Sequence, residues 1–257
     1  MRQQSKVQVH VRGALIGGPL PLVCLPLVGE TRAKVLEEGE ALAQLQPDLL
    51  EWRIDGYGYA EDIDSSLSLL KELRTIIGET GLIFTCRIDL EGGMGNLDRE
   101  TRLNLNLAAV ETGDVDIVDI ELCNDPEFVA EVKAQSQKHG VKLILSYHNF
   151  SETPSEQFIY SKLTEAQTRG ADISKFAAMP QNHGDVLSLF NATQKARSEA
   201  VKSPIVAMSM GPIGAVSRLA GGLFGSDITF GIGMQASAPG QIPIKDLRSG
   251  MALLYGK

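Results

Sequence analysis

Cysteine is scarce: Cys24, Cys86 and Cys123 are the only three in 257 residues. They are widely separated and each lies in an apolar run, so the expectation is buried free thiols in a reducing compartment, not a disulfide framework or a metal site. Long apolar runs are missing too. None approaches the ~20 residues that a membrane-spanning helix needs, and the opening MRQQSKVQVHVRG has no apolar signal core. Both point to a cytoplasmic protein. Positive charge is short as well: Lys and Arg number 24 against 32 Asp and Glu, a net charge of −8. That balance gives no general attraction to phosphate backbones or anionic lipid, which sets aside nucleic acid and membranes as partners and favours a small solute. No linker, low-complexity tract or charge block marks a second domain. Residues 1–257 therefore read as one domain, a length at which one large core forms.

What the chain does have is alternation. Short β-rich apolar runs recur eight times: LVCLPLV (22–28), LLEWRID (49–55), LIFTCRI (82–88), IVDIEL (117–122), KLILSYH (142–148), ISKFAAM (173–179), PIVAMSM (204–210) and ITFGIG (228–233). Between them lie amphipathic segments such as TRAKVLEEGEALAQL and DPEFVAEVKAQSQKHG, several opening on Thr, Asp or Ser and closing on Gly, as helix caps do. Spacings of roughly 25 to 35 residues suit βα units and point to an α/β fold, a (β/α)8 TIM barrel; a doubly wound open sheet is the alternative. The seventh unit has the weakest helix signal, because RLAGGLFGS is rich in glycine. Ahead of the first run, VQVHV and ALIGG suggest a short N-terminal β-hairpin closing the bottom of the barrel.

Strand side chains alternate between faces, so parity sorts each run into an inner and an outer set. Glu51, Arg53 and Asp55 share one face, while Leu50, Trp52 and Ile54 share the other. Arg87 goes with Ile83, Thr85 and Asp89; His148 with Ile144 and Ser146; Met208 and Met210 with Val206; Lys175 with Ile173, Ala177 and Met179. Asp119 and Glu121 have interior parity without an assigned role. Barrel enzymes place their chemistry at the C-terminal strand ends, where Glu51, Arg53, Arg87, His148 and Lys175 could converge.

A strand lysine is commonly an edge residue or snorkels to water. A barrel has no edge, and both flanks of Lys175 are apolar, so desolvation there favours the neutral amine, the form that attacks a carbonyl. His10, His139 and His183 read as ordinary histidines. His148 differs because it points inward and precedes the loop SYHNFSETPS, where an imidazole can act as base and then acid. GPIGAVSRLAGGLFGS could cradle a phosphate on backbone amides, or grip a carboxylate through Arg218. MQASAPGQIP could be a short lid or simply a loop.

Together EWRID, CRIDLEGG, DIEL, SYHNF, ADISKFAAMPQ, MSMGPIGAVSRLAGGLFGS and ASAPGQI resemble, in order and from the first strand to the C-terminus, the type I 3-dehydroquinate dehydratases. The resemblance implies a (β/α)8 barrel, usually a homodimer, that converts 3-dehydroquinate to 3-dehydroshikimate in the shikimate pathway with no metal or organic cofactor. It places the Schiff-base lysine on Lys175, the general acid/base histidine on His148 and the glutamate that assists it on Glu91. It places substrate binding on Glu51, Arg53, Arg87, Arg218, Ser237 and Gln241, with Met208, Met210 and Phe230 lining the pocket. The chain departs from the family at Pro26, where a serine is frequent, and at Met234 and Gln235, where a basic pair is frequent. Two other readings are a class I aldolase, which would want a phosphate grip where Arg218 suits a carboxylate, and a non-catalytic metabolite-binding barrel. The joint presence of Lys175, His148 and Glu91 speaks against the second.

Overall fold

Each apolar run becomes a strand, trimmed where its last residues turn toward a loop. A computed structural model describes residues 2–256. A two-stranded antiparallel hairpin, β1 (Val9–Val11) and β2 (Ala14–Ile16), comes first. It is followed by β3 (Leu22–Leu27), β4 (Leu49–Arg53), β5 (Gly81–Thr85), β6 (Ile117–Glu121), β7 (Lys142–Asn149), β8 (Ile173–Ala178), β9 (Ile205–Ser209) and β10 (Ile228–Ile232). A two-residue strand, β11 (Ile242–Pro243), adds to the outside of β10. Pairing is parallel and runs β10-β3-β4-β5-β6-β7-β8-β9, the order of a TIM barrel.

The helices are α1 (Arg32–Gln44), α2 (Ile63–Ile77), α3 (Arg99–Glu111), α4 (Pro126–His139), α5 (Glu156–Thr168), α6 (His183–Lys195), α7 (Gly211–Ala220) and α8 (Ile244–Tyr255). Their starts follow the capping chemistry in the sequence. The side chains of Thr31, Asp62, Asp98, Asp125, Ser155 and Asn182 each accept a first-turn backbone N–H. The glycine-rich end of unit seven is a true helix end: α7 stops at Ala220 and a 3₁₀ turn, Gly221–Phe224, follows. Gly222 packs so closely that a Cβ would lie 2.5 Å from Pro21 and 2.6 Å from the Tyr255 hydroxyl. No helix of the described residues is long and apolar enough to cross a membrane.

Parity holds along the strands. Leu25, Leu50, Trp52, Phe84, Val118 and Leu143 face outward into the helix layer. Cys24, Leu49, Ile83, Ile117, Ile144, Ile173, Val206 and Ile228 face inward and pack against Val9, Val11 and Ile16, so the hairpin closes the N-terminal end of the barrel. Parity fails where a strand ends. Because β5 stops at Thr85, Asp89 falls in a 3₁₀ turn, is exposed and accepts the Leu90 N–H. Cys123, expected to be buried, is exposed for the same reason: β6 ends at Glu121 and the chain turns outward, while Cys24 and Cys86 are buried.

The ring has one seam. No ladder joins β9 to β10 among the described residues, and Asp227 does that work instead. Its N–H donates to the Ile205 carbonyl (2.6 Å), and its Oδ2 accepts the Ile205 N–H (2.7 Å). The same carboxylate is ion-paired with Arg2 and with Arg197, both buried. Ser226 Oγ accepts the Ala207 N–H (3.0 Å) beside it. Removing a buried carboxylate strands its cations, a loss of about 3–5 kcal/mol. Asp227→Ala is therefore expected to lower the melting temperature by roughly 10 °C, with Asp227→Asn, which can still accept from Ile205, in between. A thermal melt with Asp227→Ala matching the parent would show that the seam closes without this carboxylate.

Candidate active site

At the C-terminal ends of the strands the inward side chains change from aliphatic to charged. A cavity opens there, lined by Glu51, Arg53, Arg87, Glu91, His148 and Lys175, together with Met208, Met210, Phe230, Ser237 and Gln241. Phe150, Ala177 and Ala238 also line it. Of the site residues named from sequence, only Arg218 lies outside this lining.

Register brings the charges side by side. Glu121 on β6 pairs with Ser146 on β7, and Ser146 pairs with Lys175 on β8, so these three form one row around the barrel. Lys175 is buried, as expected, but not among apolar groups alone. Its Nζ is 2.6 Å from Asp119 Oδ2 and 3.3 Å from Glu51 Oε1, and it lies 4.7 Å from the centre of the Phe230 ring. Thr85 Oγ1 donates to the same Glu51 oxygen (3.1 Å).

Arg87 is the hub beneath the cavity. Its Nη2 is 2.9 Å from Asp119 Oδ1, and its Nη1 is 2.9 Å from Glu121 Oε1 and 2.6 Å from Ser146 Oγ. The Ser146 hydroxyl in turn donates to Asp119 Oδ1 (2.6 Å). Burial alone would raise the Asp119 carboxyl; the charges of Arg87 and Lys175 outweigh it and hold the group well below the usual carboxylate range. Arg53 makes a bidentate pair with Asp55 (2.9 and 2.7 Å). It also donates to the Gly92 carbonyl (3.0 Å).

Glu91 comes from the turn Asp89–Glu91 that follows β5, and the turn is closed by Gly92 at φ +84°. A Cβ at Gly92 would lie 2.3 Å from Phe150, so ring and turn fit together only with glycine there. Glu91 Oε2 accepts the His148 backbone N–H (2.8 Å) and lies 3.0 Å from His148 Nδ1. With Nδ1–H directed at the carboxylate, Nε2 keeps its lone pair. Burial, with the charges of Arg87 and Lys175, pushes His148 well below its ordinary value, so the imidazole is neutral at neutral pH and can take a proton. Burial pushes Glu91 the other way, up to about 7, against the opposing charge of Arg87.

Arg218 lies behind Met208 and Phe230. Its Nη1 donates to the Phe230 carbonyl (3.2 Å), and its Nη2 to the Pro239 carbonyl (3.0 Å). Its Nε has no hydrogen-bond partner among the described residues, and burial lowers the guanidinium to about 10. In the loop after β10, Gln241 Oε1 accepts the Ser237 N–H (2.9 Å), and Gln241 Nε2 donates to Ser237 Oγ (3.2 Å). His10, His139 and His183 are exposed, as is Met234. Pro26, opposite Glu51 in the β3–β4 ladder, is buried.

Glu91 gives a stability signature. Its value of about 7 in the fold exceeds the ordinary 4.5, so the folded chain holds this proton more tightly than the unfolded one. The associated stability is complete below pH 4.5 and is lost as pH rises through 7. Glu91→Gln has no proton to lose. It is expected to melt higher than the parent at pH 8, by about 5 °C for a change on the order of 2–3 kcal/mol, and level with it at pH 4. Thermal melts across this range check it, and an equal offset at both pH values would contradict it.

Residues 23–257 match the family model for type I 3-dehydroquinase. The chain is 42% identical to the 3-dehydroquinate dehydratase of Geobacillus thermodenitrificans over 251 residues, 97% of both chains. The crystal structure of 3-dehydroquinate dehydratase from Geobacillus kaustophilus superposes with a TM-score of 0.96 at 41% identity, covering 100% of each chain. That of the type I enzyme from Clostridium difficile, described with covalently modified comenic acid, gives 0.94 at 39% identity, covering 97% of this chain and 98% of that one.

Proposed function

This chain belongs to the type I 3-dehydroquinase family and is a hydro-lyase, a 3-dehydroquinate dehydratase; from that premise we propose that it works through an imine on Lys175, with His148 as acid and base. One observation carries the reading. Lys175 and His148 line one cavity from adjacent strands, with His148 Nδ1 3.0 Å from Glu91 and the imidazole pushed by burial well below its ordinary value.

Lys175 passes one ammonium proton to Glu51, the freed amine attacks the ring ketone of 3-dehydroquinate, a C–N bond forms, and the ketone oxygen leaves as water with that proton and one more from the nitrogen. The resulting iminium draws electrons from the neighbouring carbon. His148 Nε2 takes the proton from that carbon, leaving an enamine and an imidazolium facing the Glu91 carboxylate. The imidazolium gives the proton to the β-hydroxyl, which departs as water as the double bond forms and the nitrogen becomes an iminium again. Hydrolysis releases 3-dehydroshikimate and restores Lys175. The net change is loss of one water.

Binding falls to the remaining groups. Glu51, Arg53, Arg87, Ser237 and Gln241 present donors and acceptors for ring hydroxyls, while Met208, Met210 and Phe230 pack against the ring. Arg218 has no carboxylate partner among the described residues, and a substrate carboxylate would supply it once the Met208 and Phe230 side chains part to let it through. A cytoplasmic location and a homodimer belong to the same proposal. Borohydride reduction in the presence of 3-dehydroquinate is expected to fix one substrate-derived mass on the peptide carrying Lys175. Lys175→Ala should take up no label and should lose on the order of 10³-fold or more in kcat. Label on another residue, or turnover by Lys175→Ala near the parent's, would overturn the imine step.

A further inference from the structure

Two carboxylates touch Lys175, and they are not equivalent. Glu51 lines the cavity, and its Oε1 is 3.3 Å from Nζ. Asp119 is fully buried, is absent from the lining, and is closer, at 2.6 Å. Its second oxygen is taken by Arg87 (2.9 Å) and by the Ser146 hydroxyl (2.6 Å), so the group can neither swing away nor meet a ligand. The charged and titratable groups facing this pair are Cys24 on β3, Glu51 and Arg53 on β4, Arg87 after β5, Glu121 on β6 and His148 on β7. The inward residues of β9 and β10, Val206, Met208, Ile228 and Phe230, carry no charge.

We propose that Asp119 is the fixed counter-ion of Lys175 Nζ, first as ammonium and then as iminium, while Glu51 relays the protons that leave the nitrogen. The inference rests on the imine reading of Lys175. Its charge balance is simple: an ammonium ion and a ketone give an iminium ion and water. The C–N bond forms, the C–O bond breaks, and two ammonium protons depart with the oxygen, passing over Glu51 on the cavity side. One positive charge is on nitrogen before and after, so the carboxylate beneath it has a partner throughout and exchanges no net proton. A carboxylate clamped by a guanidinium and a hydroxyl suits that task, because it stays ionised and stays in place. Asp119 is thus a positioning residue, acting on substrate only through Lys175.

The test is the pH dependence of trapping. The full-length parent, Asp119→Asn and Ser146→Ala are mixed with 3-dehydroquinate, reduced with borohydride at a series of pH values, and weighed intact. Losing the charge makes the protonated nitrogen less favoured, so for Asp119→Asn the half-maximal pH of adduct formation should fall by about one unit or more, with ~10-fold less adduct at the plateau. Ser146→Ala keeps the charge and removes a hydrogen bond from it, which strengthens its hold on the ammonium. Its profile should move upward, by roughly a few tenths of a unit. These opposite shifts are the signature that a merely structural role would not give, and Ser146→Ala still decides the matter if Asp119→Asn does not fold. A folded Asp119→Asn that traps like the parent at every pH, or a Ser146→Ala profile that is unmoved or moves downward, overturns the counter-ion. A parent that forms no adduct on Lys175 instead brings down the imine reading, and the counter-ion with it.

Discussion

Arg87 stands between Asp119 and Glu121, and the upper half of the barrel is built around that contact. Both carboxylates are fully buried, and Lys175 leans on one of them. Taking such groups out of water is costly, and removing one partner leaves the others unpaired in a place water cannot repair. A closed ring of parallel strands lets β6, β8 and a residue just beyond β5 contribute to one cluster. The charges depend on the ring for their partners, and the ring's top layer depends on the charges for its packing.

The cluster's neighbours convert that rigidity into chemistry. Asp55 accepts the Met94 N–H (2.9 Å) and the Arg87 N–H (3.2 Å), and Arg53 holds the Gly92 carbonyl. The turn carrying Glu91 is therefore tied down from β4 on one side, while Phe150 covers Gly92 on the other. Glu91 has little choice but to meet His148, whose own backbone N–H it accepts. The His148–Glu91 pair and Lys175 are thus positioned by separate devices that share Arg87.

Much of this was legible in the sequence because strand parity is a hard geometric rule. Glu51, Arg87, His148 and Lys175 fall on the inner face by counting alone, and their lining of one cavity follows once the sheet closes. Counting stops where a strand stops, which is why Asp89 and Cys123 came out on the surface. The partnership of Asp119 with Lys175 was out of reach for another reason. Asp119 on β6 and Lys175 on β8 are not on neighbouring strands, and their contact passes over β7, where Ser146 leaves room for it. No spacing in the chain encodes that. The β9–β10 seam was hidden likewise, since Asp227 lies just before an apolar run and is tied to Arg2, 225 residues away.

The two ends of the barrel also need each other. Val9, Val11 and Ile16 seal the lower mouth and pack on Leu49, Ile83, Ile117 and Ile144, leaving an apolar floor under the charged layer. Over a wet floor, Lys175 and Arg87 could be hydrated from below, and their carboxylates would be worth little more than surface ion pairs. Over this one, an ammonium group must find its counter-charge within the protein. The hairpin, which packs on the apolar inner residues below, therefore helps to make the Lys175–Asp119 contact obligatory, and the contact holds the Lys175 nitrogen at the cavity wall.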